Sequence, residues 1–322
     1  MATAEQIKSL IRSHFTDHPE QFRTIALQVA AHEAKQGHRS LALEIRTLVD
    51  KAGALPARVI PFTPDLEHLV LASAPSERLG MLVQSEEMRA RIYRILREYR
   101  QKTKLEKHGL THRRKILLAG PPGTGKTLTA AVLAGELGLP LFTIMMDKIV
   151  TKFMGETSAK LRQIFDVIQE RRGVFLFDEF DAIGGERGRD DDVGEMRRVL
   201  NSFLQFIERD TSDSLVVAAT NNPRILDQAL FRRFDDVLHY HLPERAEIER
   251  LIENRLGSFR QSKMRLERTA KMAESLSHAE IVQACDDAIK ETILADRKTV
   301  TAKLLVRMLE ERRSAYKATI RG

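Results

Sequence analysis

Gly120-Pro121-Pro122-Gly123-Thr124-Gly125-Lys126-Thr127 is the stretch on which the reading of this chain turns. The apolar run Ile116-Leu117-Leu118-Ala119 precedes it, with the length and composition of a buried parallel strand. After it, Leu128 to Leu137 carries Ala, Leu and Val at helical spacing. Strand, loop, helix is the setting in which G-x-x-x-x-G-K-[ST] has mechanical meaning, unlike an ordinary glycine-rich turn. Glycines let backbone N–H groups curl around phosphates, and the following helix offers its N-terminal dipole to the anion. Lys126 is then in reach of the β and γ phosphates, and the Thr127 hydroxyl can ligate Mg²⁺. The expected cradle is Gly120, Pro121, Pro122, Gly123, Thr124, Gly125, Lys126, Thr127 and Leu128. A nucleoside triphosphate site is the implication.

Further along, Val174-Phe175-Leu176-Phe177-Asp178-Glu179 is four apolar residues ending in two carboxylates. A buried parallel strand delivers such groups to the crevice at the carboxyl edge of a sheet. There Asp178 would hold Mg²⁺ and Glu179 would polarise the water attacking the γ-phosphate. Leu215-Val216-Val217-Ala218-Ala219 reads as another buried strand, running into Thr220-Asn221-Asn222-Pro223. Asn221 can hydrogen-bond the attacking water or the γ-phosphate there, although an Asn before a proline turn also has a purely local use. Arg232 and Arg233 follow a short helical pattern and suit either surface charge or the stabilisation of transition-state charge. Lys152-Phe153-Met154-Gly155 puts an aromatic between two helical stretches, where it either packs inward or projects.

Taken together, GPPGTGKT, the Phe-Leu-Phe-Asp-Glu strand, the Ala-Thr-Asn strand and Ala-Leu-Phe-Arg-Arg-Phe-Asp resemble the AAA+ ATPases, and within them the AAA clade. The resemblance covers about residues 76 to 318. It implies a P-loop NTPase with a doubly wound parallel α/β sheet, a C-terminal helical lid, ATP and Mg²⁺ as cofactors, and a hexamer with ATP between subunits. By that likeness Lys126, Thr127, Asp178, Glu179 and Asn221 act on the chain's own nucleotide, while Arg232 and Arg233 reach a neighbour's. The two arginines are adjacent here, whereas the commoner form spaces them, which leaves open which one is the principal finger. Lys152, Phe153 and Met154 match the family's first pore loop, whose aromatic grips a threaded polypeptide. Ser277-His278-Ala279-Glu280-Ile281 stands where the family has a Ser-Gly-Ala-Asp-Ile-like turn, so that Ala279 is expected against the adenosine. Ser277 also serves simply as an N-cap.

The remaining chain sorts around that centre. Residues 1–55 carry three helical patterns, Glu5 to Phe15, Phe22 to Lys35 and Ser40 to Ala52, with Gly37 at a turn. They suit a small bundle that serves as an adaptor or as a packing element. Pro56, Pro61, Pro64 and Pro75 mark 56–75 as a linker. The core is then 76–242 and the helical lid 243–322. Ser85 to Lys107 reads as one long helix with a basic face, Arg89, Arg91, Arg94, Arg97, Arg100, Lys102, Lys104 and Lys107, interleaved with Tyr93 and Tyr99. Such a face is solvated, meets an acidic neighbour, or contacts nucleic acid phosphates.

Composition bounds the function classes. With 30% charged residues, 6% aromatic and no Trp, the chain suits a helix-rich protein better than a β-sandwich. Cys285 is the sole cysteine, which rules out an internal disulfide and favours a reducing compartment. No membrane span or signal peptide is legible, so the expected location is cytoplasmic. No H-E-x-x-H sequence occurs, so any degradation would fall to a separate protease, for which similarity to small bacterial AAA proteins points to a subtilisin-like serine protease. The expected activity is ATP hydrolysis driving the remodelling or unfolding of a protein. A DNA-associated AAA+ ATPase, of transposition-regulator or loader type, is the alternative that the +7 charge and the basic helix support.

Overall fold

The computed structural model describes residues 8, 19–54, 66, 68–149, 154–183, 190–225, 228–262 and 264–320. The chain divides into two compact units, Met1–Ile60 and Pro61–Gly322. In the first, helices α1 (Pro19–Lys35) and α2 (Arg39–Ala54) pack against each other through Ala26, Val29, Ala30 and Ala42. Small residues at the contact let the two backbones approach closely. Gly37 turns the chain between them at φ +90°, a conformation open to glycine at no steric cost. The expected first helix, Glu5 to Phe15, lies outside the described residues except for Lys8.

The second unit is built on a six-stranded sheet in the order β1-β3-β4-β5-β2-β6. Its strands are β1 (Val70–Ser73), β2 (Lys115–Ala119), β3 (Leu141–Ile144), β4 (Val174–Phe177), β5 (Leu215–Thr220) and β6 (Asp236–His239). All neighbours pair in parallel except β1, which lies antiparallel to β3 with Val70 opposite Ile144. The central strands read as unbroken apolar runs because both faces are covered. Leu117, Phe175, Phe177, Val216 and Ala218 enter one core with Phe165 and Phe203. Ile116, Leu118, Val174, Leu176, Leu215 and Val217 enter the other, against Ile92, Ile95 and Leu133. Successive side chains of a strand alternate between faces, so each run fills two cores at once.

Helix α3 (Glu86–Arg100) is capped by Ser85, whose Oγ accepts from the Met88 N–H at 3.2 Å. The single long helix expected for Ser85 to Lys107 is broken at Gln101, whose N–H bonds to both the Arg97 and Glu98 carbonyls before the short helix α4 (Lys102–Glu106). Three residues of its basic face are engaged by the core, while Arg94, Arg97, Lys104 and Lys107 stay exposed. Arg91 pairs with Asp236, Arg100 with Glu136 at 2.9 Å and Lys102 with Asp213, while Tyr99 is buried and donates to the Asp213 carbonyl. Tyr99 is therefore not free to stack on a base, which removes half of the aromatic interleaving that the nucleic-acid reading used.

The expected linker 56–75 is also corrected, for Leu66, Leu69 and Val70 are buried in the sheet's core and Val70–Ser73 is an edge strand. Prolines around a four-residue edge strand hide it, since edges tolerate them and so short an alternation has no contrast.

The C-terminal part is helical: α10 (Arg245–Leu256), α11 (Leu266–Ala273), α12 (His278–Leu294) and α13 (Ala302–Ile320), numbered after α5 (Lys126–Leu137), α6 (Met146–Ile149), α7 (Met154–Glu170), α8 (Asp190–Arg209) and α9 (Gln228–Phe231). Its core gathers Ile248, Ile252, Leu276, Ile281, Cys285 and Leu309. Burial pushes the Cys285 thiol up to about 12. Among the described residues, no helix is long and apolar enough to cross a membrane.

Candidate functional site

The phosphate loop leaves the carboxyl end of β2, between β5 and β6, and runs into α5. Two of its glycines are forced by close approach. At Gly120, φ is +153° and a Cβ would collide with the carbonyl oxygen of Tyr240. At Gly123, φ is +72° and a Cβ would stand 2.6 Å from the Ser277 hydroxyl oxygen. The loop is thus pressed between the sheet below and the start of α12 above. That second contact is sealed by the Ala279 N–H, which donates to the Gly123 carbonyl at 3.0 Å. Gln84 holds the loop from a third side, donating through Nε2 to the Thr124 carbonyl at 2.7 Å, while the Thr124 hydroxyl donates to the Pro121 carbonyl at 2.7 Å.

Lys126 is buried, and its ammonium donates to three neutral oxygens: the Gly120 carbonyl at 2.7 Å, the Pro121 carbonyl at 2.8 Å and Asn221 Oδ1 at 2.8 Å. Burial lowers its pKa, with Asp178 and Asp181 pulling the other way. Next along α5, the Thr127 hydroxyl donates to Asp178 Oδ2 at 2.8 Å. The ends of β4 and β5 and the head of α5 therefore bring Lys126 to Asn221 and Thr127 to Asp178 as two hydrogen-bonded pairs lining one cavity. Glu179 is adjacent, its N–H donating to Asp178 Oδ1 at 3.0 Å. It takes φ +52°, one of few non-glycine residues in the left-handed region. That conformation costs on the order of 1 kcal/mol and persists where surrounding structure requires it.

These groups line a cavity of ≈ 450 Å³ together with Pro122, Gly125, Leu128, Ala279 and His278. Its lining also includes the apolar Leu82, Val83, Leu251 and Val282. The cavity thus joins the charge of Lys126 to apolar surface, the combination that a nucleotide's phosphates and base call for. The hydroxyl of Thr127 and the carboxylate of Asp178, already in contact, are a donor set suited to a hard, oxygen-seeking cation such as Mg²⁺.

Arg232 and Arg233 sit away from this set, just past α9. Leu230 and Phe234 on either side are buried, and Asp235 accepts from the N–H groups of Arg114 and Lys115 at 2.9 Å, which pins the turn. Both arginines are exposed. Arg233 pairs with Glu208, whereas Arg232 has no ion-pair partner among the described residues. Lys152 and Phe153 lie outside the described residues, and Met154 is the first residue of α7.

Three contributors left no local trace in the sequence. Asp181 accepts from the backbone N–H of Asn221 at 3.1 Å and so fixes the main chain at that position. Gln84 and Tyr240 brace the loop from positions 40 residues before and 120 after it. A third position along from Asp178 was the only hint available for Asp181. Long-range hydrogen bonds give the other two no periodicity to find.

Residues 116–242 match the sequence model of the ATPase family associated with various cellular activities, AAA. An AAA family ATPase of Sinorhizobium fredii is 35% identical over 331 residues, covering 99% of this chain and 99% of the relative. ATP-dependent zinc metalloprotease FtsH 1 of Salinibacter ruber is 37% identical over 193 residues, 57% of this chain and 27% of that protein. The proteasome-activating nucleotidase of Methanococcus vannielii is 34% identical over 209 residues, 62% of this chain and 50% of that protein. The stretch shared with the last two is at most half of each.

Proposed function

Because this chain belongs to the AAA family of ATPases and hydrolyses ATP, we propose that Lys126, Thr127, Asp178, Glu179 and Asn221 form its hydrolytic centre, completed by an arginine from a neighbouring subunit. The observation that carries this is the pairing of Lys126 with Asn221 and of Thr127 with Asp178, together with an exposed Arg232 elsewhere in the chain that has no ion-pair partner among the described residues. Lys126 and the loop N–H groups from Gly123 to Thr127 hold the β and γ phosphates. Glu179 takes the proton of the attacking water, and Asn221, its main chain fixed by Asp181, positions that water or the γ-phosphate. Thr127 and Asp178 would hold Mg²⁺, which when bound offsets the charge of the phosphates. Arg232 has nothing to neutralise within its own chain among the described residues and is suited to a neighbour's nucleotide.

From this the working assembly is a ring, a hexamer, with the core and lid together as the motor and the N-terminal unit as the adaptor. Work is done on a protein substrate gripped by Lys152, Phe153 and Met154. Two of the relatives carry names that join ATP to proteolysis, a metalloprotease and a proteasome-activating nucleotidase. This chain has no H-E-x-x-H sequence, so an unfolded substrate would pass to a separate protease, of the subtilisin-like serine class.

The test is the solution mass of the Glu179→Gln protein with and without ATP and Mg²⁺. The substitution removes the base and leaves the cradle, so ATP is trapped. A shift to about six subunits with ATP supports the inter-subunit site. A monomer under both conditions leaves Arg232 no phosphate to reach and overturns the ring.

A further inference from the structure

His278 is the first residue of α12 and only 7% exposed, on the wall of the nucleotide cavity. Among the described residues, neither of its ring nitrogens has a hydrogen-bond partner. Burying an imidazole with nothing to bond is costly, and such a group in a cavity wall points to a ligand. The same cavity is lined by the apolar Leu82, Val83, Leu251 and Val282 and by the polar Lys126 and Thr127. The Ala279 N–H, one residue on, is fixed to the Gly123 carbonyl at 3.0 Å. The start of α12 is therefore tied to the phosphate loop, and His278 keeps a set position relative to the phosphates.

Of the parts of a nucleotide, only the base is flat, apolar on its faces and polar along its edge. Burial lowers His278 to about 4. Near neutral pH the ring thus carries one N–H and one lone pair. Both the N–H and the lone pair are unpartnered among the described residues. The lone pair is left for a donor, and the donor on the edge of adenine is its 6-amino group.

We propose that His278 accepts a hydrogen bond from the 6-amino group of the bound adenine and so sets the preference of this ATPase for adenine nucleotides. The inference rests on the nucleotide site of the preceding subsection. No Gly at this position could do the same, since glycine offers no side-chain acceptor.

The test is equilibrium binding of ATP, purine riboside triphosphate, which lacks the 6-amino group, and GTP to the full chain. Wild type should bind ATP roughly 5- to 10-fold more tightly than purine riboside triphosphate, the worth of one hydrogen bond. In His278→Ala the two should bind about equally, and His278→Gln, which keeps an acceptor, should regain part of the preference. Equal binding of the two nucleotides by wild type would overturn the proposal without any variant. So would an undiminished preference in His278→Ala. Wild type failing to bind ATP, or Lys126→Ala binding it as well as wild type does, would instead bring down the nucleotide site beneath it.

Discussion

Lys126 holds an ammonium in a buried place with three neutral acceptors and, among the described residues, no carboxylate paired with it. Its charge is left over for an incoming anion. Lys126→Ala should weaken ATP binding about 100-fold or more, measured by titration of a fluorescent nucleotide, because charge-assisted hydrogen bonds to phosphate are lost. The two arginines should separate. Arg232→Ala should cut turnover on the order of 10³-fold while ATP still binds. Arg233, held by Glu208, should when replaced by Ala lose far less. Steady-state ATPase rates check both, and equal losses would mean that the pairing in one chain does not predict the role. His278 makes a third case. Its pKa is depressed from 6.5 to about 4 in the folded chain. Below pH 6.5 the unfolded chain takes up a proton that the folded one refuses, so stability is full above 6.5 and lost on the way down to 4. Between pH 6.5 and 5 the loss through this group is about 2 kcal/mol. His278→Gln should flatten that part of the denaturation curve against pH.

Among the elements, the phosphate loop and the lid are locked together at Gly123. Gly123→Ala places a methyl 2.6 Å from the Ser277 oxygen and puts an alanine at φ +72°. The start of α12 must shift, and ATP binding should fall with the lid loosened, seen as faster amide exchange over 278–294. The start of that helix is set by a capping box between Ser277 and Glu280, a pairing whose loss costs about 1 kcal/mol. Elements with strong periodicity were legible in the sequence: β2, β4 and β5 because burial on two faces leaves them wholly apolar, α5 and α12 because their caps or flanking glycines announce them. β1 and β6 were not. β1 carries one fully buried residue in four, and β6 has its ends polar, Asp236 and His239, so neither alternation nor an apolar run stands out. The break at Gln101 was hidden as well, with no Gly or Pro to mark it. In the site, the loop, the acidic pair and Asn221 were readable from local pattern. Gln84, Asp181 and Tyr240 were not, since their partners lie 40 or more positions away in sequence.

At the scale of the molecule, every residue found around the nucleotide cavity belongs to Pro61–Gly322. Removing residues 1–60 should therefore leave ATP affinity unchanged, with any loss confined to work on a substrate; a drop in affinity would show that the first unit supports the site. Arg91, Arg100, Lys102 and Arg114 are engaged with Asp236, Glu136, Asp213 and Asp210, so those four basic side chains are not free for a partner, while the net charge of +7 is unchanged by such pairing. Cys285, shut inside the lid with its thiol pushed up to about 12, has a use of another kind. A thiol that is neither exposed nor ionised scarcely reacts with maleimides or iodoacetamides. As the chain contains no other cysteine, a cysteine engineered at an exposed position becomes the sole handle for a dye or spin label, with the native sequence otherwise untouched. Lid, loop and arginine turn can each be tagged in this way and their separations followed through a cycle of nucleotide turnover.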